Sequence, residues 1–279
     1  MTEMLKNMKY RYLILGVIFT LALSLILFTL MGLESPYITS FAGILSLYFF
    51  PVGWMFYHFR KYHLSLWEWL QRIKFKISET IVTAMFPELL GMGILMLITL
   101  GLTFVLPTGG FNELPETSAT NWGLDFVSAV VFAPICEELI FRGFIFNKML
   151  TRFSPVKAVI ASSVIFGAMH LTTGISPTLV GMVLCVIFMK YGSLLPCITI
   201  HSLHNLVVEL LKYFSSLSTD SSIEIKPADM PPLLIMSGIF VTIGLVWLVL
   251  FFRKNWHYAG EFMQRSRSDN QSYRMSHNG

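Results

Sequence analysis

The sequence predicts an all-α fold: a polytopic membrane helix bundle of about eight transmembrane helices, with both termini cytoplasmic. Three observations lead there. Of 279 residues, 54% are hydrophobic and 13% charged, with a mean hydropathy of +0.66, whereas soluble domains carry about 25% charged residues. The apolar residues gather in runs, several long enough to cross a hydrocarbon layer about 30 Å thick. Lys and Arg fall almost entirely on alternate connections between those runs. The three cysteines, Cys136, Cys185 and Cys197, lie within apolar runs and do not form the pattern of a disulfide framework.

Each predicted span has its own justification. Lys6, Lys9 and Arg11 precede a first run over 12–33, too long for a signal-peptide core and without a small-residue cleavage site. A turn at Glu34-Ser35-Pro36 leads into a second span, 37–57. The connector 58–79 mixes Trp67, Trp69 and Leu70 with Arg60, Lys61, Arg72, Lys74 and Lys76, the composition of an interfacial segment. A third span covers 81–106, with Pro87 expected to kink it. The Gly/Pro/Thr-rich loop 107–121 ends at Asn121, a candidate cap for a long fourth helix over 122–152. Ser154-Pro155 ends that helix. Spans over 156–171, 178–191 and 194–213 follow, then a polar Ser-rich loop at 215–232 and a last span over 233–252. Residues 1–252 therefore read as a single transmembrane domain, and 253–279 as a polar cytoplasmic tail expected to be disordered.

The basic residues orient the bundle. With the N-terminus inside, the inner segments are the head, 58–80, the end of the fourth helix from Arg142 to Lys157, Lys190, and the tail from Arg253. The outer loops hold Glu113, Glu116, Asp220, Glu224 and Asp229 against Lys226. This satisfies the positive-inside rule at every loop.

Against that background, charges inside the spans stand out. Ala133-Pro134-Ile135-Cys136-Glu137-Glu138-Leu139-Ile140-Phe141-Arg142-Gly143 places two carboxylates and a guanidinium in an apolar run, where each charge costs about 2.5–3.5 kcal/mol on insertion scales. Depth can be counted at about 1.5 Å per helical residue. Glu137 then lies roughly 20 Å above Arg152, His170 roughly 20 Å above Lys157, and His201 roughly 15 Å above Tyr191, with Asn205 one turn higher. All four fall in one layer near mid-membrane. Glu138 and Arg142 are four residues apart and can pair on one helix face, whereas Glu137 points about 100° away without a local partner. A carboxylate left so in a low-dielectric site is a candidate general base, and two histidines with an amide can hold a water or stabilise an oxyanion. The chemistry that fits is hydrolysis.

Glu-Glu-x-x-x-Arg, Phe-x-x-x-His and His-x-x-x-Asn, in this order on successive helices, resemble the CPBP intramembrane proteases, the CAAX-protease and bacteriocin-processing (Abi) group that includes type II CAAX prenyl endopeptidases. The resemblance covers about 122–213. It implies an intramembrane endopeptidase in which Glu137 activates water, His170 assists, His201 and Asn205 form the oxyanion site, and Glu138 with Arg142 supports them. It also implies a multi-pass protein of a bacterial plasma membrane, whose partners are a peptide or protein substrate and the bilayer, with no nucleic acid. Bacterial members are linked to peptide maturation and bacteriocin immunity, and the compact chain resembles those. The family leaves the metal open: Glu137, His170 and His201 would be the zinc ligands, yet His-Glu-x-x-His is absent, and the reading favours no tightly bound cofactor. Two other functions share these features, a non-catalytic immunity or regulatory protein that binds a peptide, and a proton-coupled transporter. Outside the motifs, His204 is expected to be structural, Glu88 to be an interfacial or kink-associated carboxylate, and Cys136 to be a core residue.

Overall fold

A computed structural model describes residues 2–31, 44–65, 67, 70, 74–105, 122–170, 174–216 and 229–277, and among them every regular element is helical. In chain order these are α1 (Thr2–Asn7), α2 (Tyr10–Leu30), α3 (a π-helical stretch Leu45–Phe49 running into Phe50–Lys61) and α4 (Ile77–Val105). The long α5 is composite: Trp122–Val127 is α-helical, Ser128–Phe132 π-helical, Ala133–Glu138 α-helical, Leu139–Phe146 π-helical and Asn147–Leu150 α-helical again. Then follow α6 (Pro155–Ala168), α7 (Ile175–Tyr191), α8 (Leu194–Ser216), α9 (Met230–Asn255) and α10 (His257–His277).

Each of the apolar runs contains one helix from α2 to α9. Among the described residues, four stretches can cross a membrane by length and composition: Tyr10–Leu30, Ile77–Leu102, Leu194–Phe214 and Met230–Ser268. The helices α6 and α7, with 14 and 17 residues, reach about 21 and 26 Å at 1.5 Å per residue, short of a 30 Å hydrocarbon core. Pro87 lies inside α4. The turn at 34–36, the loop 107–121 with Asn121, and most of the loop 215–232 lie outside the described residues.

The interior is built from α5 and α7. All eight residues of the second π stretch of α5 are buried, as is the run from Val183 to Met189 on α7; helices apolar on every face belong inside a bundle. By contrast α2 turns Ile14, Leu15, Ile18 and Phe19 outward. Small residues let backbones approach closely, as they do between membrane helices. A Cβ on Gly244 of α9 would lie 2.6 Å from the Leu90 Cβ of α4, and one on Gly181 of α7 would lie 3.1 Å from the Ser163 Cβ of α6. Glu79 at the start of α4 pairs with Lys190 and accepts from Tyr191 Oη at 2.7 Å, so the beginning of α4 meets the end of α7.

The tail departs from expectation. Where polar composition suggests disorder beyond Arg253, α10 is a helix with one packed face. Ala259 is buried, and the Phe262 ring lies 5.6 Å from Phe188 on α7. Spacings of three and four residues gather Ala259, Phe262 and Met263 on that face, which an overall polar composition conceals.

Candidate active site

The site forms where α5 passes α3, α6 and α8 in the middle of the bundle. Glu137 and Glu138 occupy the α-helical stretch between the two π stretches of α5. Glu138 is fully buried and its Oε1 accepts from Arg142 Nη1 at 2.6 Å. Arg142 also donates to the Gly181 carbonyl at 3.1 Å, and its guanidinium lies 4.8 Å from the centre of the Phe166 ring. Phe166 packs edge-on against Phe141 and the His201 ring, the latter at 5.7 Å, and lies tilted against the His170 ring at 4.8 Å. One aromatic side chain thus fixes the faces of both histidines and the arginine.

His201 Nδ1 is 2.8 Å from Glu138 Oε1, and His170 Nδ1 is 2.8 Å from the Phe166 carbonyl. A carboxylate and a carbonyl only accept, so both Nδ1 atoms carry hydrogen, an assignment made from the partners. Both Nε2 atoms therefore face the other way, towards Glu137 Oε2, at 4.0 Å from His170 and 3.8 Å from His201. Those gaps exceed a hydrogen bond and suit one bridging water. On its other oxygen, Glu137 accepts from Tyr48 Oη at 2.9 Å.

Tyr48 is the neighbour that motif reading misses. It sits in the apolar run of α3, about 20 Å by helix rise above Lys61 at the inner end, so the depth count that picks out Glu137 and His170 would have found it too. Asn205, by contrast, donates from Nδ2 to the Ala129 carbonyl at 2.7 Å and so joins α8 to the first π stretch of α5. The sequence-predicted residues thus separate: Glu137, Glu138, Arg142, His170 and His201 form one cluster, and Asn205 lies on its flank. His204 turns away from it, with Nδ1 3.3 Å from the Ala84 carbonyl and Nε2 3.5 Å from Glu88 Oε2. Glu88 also accepts from Ser176 at the start of α7. It belongs to a helix-joining cluster between α4, α7 and α8, eleven residues inside the start of α4 and next to Pro87. Cys136 is half-buried with a free thiol.

Glu137 and His170 line a cavity of about 610 Å3 that continues past Tyr48, Leu13 and Tyr10 to Met149. Its remaining walls are almost wholly aliphatic and aromatic. From Glu137 to Met149 is roughly 18 Å of helix rise. The donor set does not fit zinc as placed: ligand atoms around a tetrahedral zinc at about 2.1 Å are roughly 3.4 Å apart, and here Nε2 to Oε2 separations are 3.8 and 4.0 Å. No group of three His, Cys, Asp or Glu side chains among the described residues is close enough to hold a metal ion.

Residues 119–207 match the family of Rce1-like type II CAAX prenyl endopeptidases. The matched stretch carries Glu137, Glu138, Arg142, His170, His201 and Asn205, and it leaves out α1 to α4 with Tyr48. It coincides closely with the 122–213 over which the motifs resemble that group. No curated protein and no solved structure matches the chain. The matched family is described as one of endopeptidases, and the apolar helices accord with a multi-pass membrane protein.

Proposed function

We propose that the chain is an intramembrane endopeptidase that hydrolyses a peptide bond with a water activated by Glu137, on a peptide or membrane-associated peptide precursor. The observation that carries this reading is the convergence of His170 Nε2 and His201 Nε2 on Glu137 Oε2, at 4.0 and 3.8 Å, beside an apolar cavity. In the reaction, Glu137 Oε2 takes a proton from a water that His170 Nε2 orients, and the water oxygen attacks the scissile carbonyl carbon. The tetrahedral oxyanion is met by the second amide hydrogen of Asn205, with the His201 ring beside it. The first of those amide hydrogens is engaged by Ala129. Glu137 then returns the proton to the departing amine nitrogen as the C–N bond breaks. Glu138 and Arg142 fix the His201 ring through its Nδ1. No step calls for a tightly bound metal, and cleavage is expected to survive incubation with a chelator.

Eight helical passes with both termini in the cytoplasm of a bacterial cell complete this reading, with the apolar cavity taking an extended apolar stretch of substrate. The test compares membrane and secreted peptides from cells carrying the native protein and Glu137→Ala at equal expression. A peptide whose processing stops in the variant identifies both activity and substrate. An unchanged peptide set, with the cellular phenotype intact, refutes proteolysis and leaves an immunity or regulatory function standing.

A further inference from the structure

We propose that Tyr48 is a positioning residue for Glu137, holding Oε1 so that Oε2 is the oxygen presented to His170, His201 and the reacting water. The proposal rests on the proteolytic reading above and adds to it a residue from outside the matched stretch 119–207.

A carboxylate can rotate about its last torsion, which is broad and roughly two-fold. In an apolar cavity, with two imidazoles several ångströms away, little would otherwise select one oxygen over the other. The Tyr48 hydroxyl makes that selection. It is the donor, because the carboxylate can only accept, and it reaches Oε1 at 2.9 Å. Oε2 is buried, engages no hydrogen-bond donor among the described residues, and faces both Nε2 atoms. The two oxygens of one side chain are therefore unlike: one is fixed, one is free to take a proton. The neighbours on the cavity wall, Leu47, Pro51, Ile140 and Phe141, offer no side-chain donor to replace the phenol. The π-helical turn Leu45–Phe49 carries Tyr48, and such turns recur where a helix must present a functional side chain.

The test uses the full-length protein in detergent and a quenched fluorescent peptide carrying the Glu137-dependent cleavage site. Tyr48→Phe keeps the ring and removes the donor. Losing a hydrogen bond to a charged group predicts a kcat lower by about 10- to 100-fold with KM within about twofold. Tyr57→Phe, exposed on the same helix, is expected to behave as the native protein. Placing p-methylphenylalanine at position 48 fills the space of the hydroxyl without a donor and should match Tyr48→Phe, so the result does not depend on how well the smaller ring packs. Placing p-aminophenylalanine there restores a donor and should recover kcat to within about fivefold of native, since a neutral N–H bonds more weakly than the phenol. A native kcat in both donor-less variants, or a p-amino variant as slow as Tyr48→Phe, overturns the role of Tyr48 and leaves the proteolytic reading intact. Absence of any Glu137-dependent cleavage overturns both.

Discussion

Replacing Arg142 by Met isolates the buried charge pair on which the site is mounted. Arg142 is 1% exposed and Glu138 0%. Methionine keeps much of the apolar stem but removes the 2.6 Å contact to Glu138, the 3.1 Å bond to the Gly181 carbonyl and the guanidinium over Phe166. Two unit charges about 4 Å apart attract by about 4 kcal/mol at an effective dielectric of 20, and removing one member of a buried pair costs about 3–5 kcal/mol because the other is left unpaired. The single variant is therefore expected to unfold, by tryptophan fluorescence in detergent, on the order of 10 °C below the native protein. The double variant Arg142→Met/Glu138→Leu removes both charges and should recover part of that stability. It should stay inactive, because His201 Nδ1 loses its acceptor. A single variant within about 1 kcal/mol of native, or a double variant no more stable than the single, would refute the premise that Arg142 offsets the burial of Glu138.

Two further substitutions probe the frame around the site. Phe166→Ala empties the space between Phe141, His170, His201 and Arg142 and should cost about 3–5 kcal/mol in unfolding measurements, with proteolysis lost. Lys148 is buried, donates to the Leu5 and Met8 carbonyls and lies 5.3 Å from the Tyr10 ring centre; Lys148→Met should free α1, weakening its docking by about 1.5–3 kcal/mol, and limited proteolysis should cleave the N-terminus faster while α4 to α9 stay protected.

Depth along a helix is legible in a sequence, and direction around it is less so. Glu137, His170 and His201 could be placed in one layer because helix rise is nearly constant, and the structure brings them within 4.0 Å across three helices. Asn205 has the right depth, and α5 takes one of its amide hydrogens. In the π stretch Ser128–Phe132 backbone bonds skip one residue further than in an α-helix, and a side-chain donor from α8 engages the Ala129 carbonyl there. No residue in Ser128-Ala129-Val130-Val131-Phe132 announces that turn. Tyr48 shares that depth but does not stand out as a charge does: its hydroxyl is a small part of an aromatic side chain in an apolar run, and its partner lies 89 residues away. The α10 helix escaped because its apolar face is narrow beside its many polar residues.

The neighbouring glutamates show how one helix turn assigns opposite duties to one residue type, and exchanging each for glutamine makes that measurable. Oε1 of Glu138 receives both Arg142 and His201, so Glu138→Gln leaves the guanidinium without its counter-charge; a loss of about 3–5 kcal/mol is expected, with activity lost as His201 is released. Glu137 receives Tyr48 on one oxygen and leaves the other towards the two imidazoles. Glu137→Gln keeps an acceptor for Tyr48 and removes a buried carboxylate, so the variant should unfold at or above the native temperature while cleavage disappears, the trade-off typical of a site held away from its stability optimum. Thermal unfolding and peptide cleavage, measured on both variants, distinguish the two residues. Equal destabilisation by the two substitutions would mean that Glu137 is a second structural carboxylate, and the general base would then have to be sought elsewhere in the cluster.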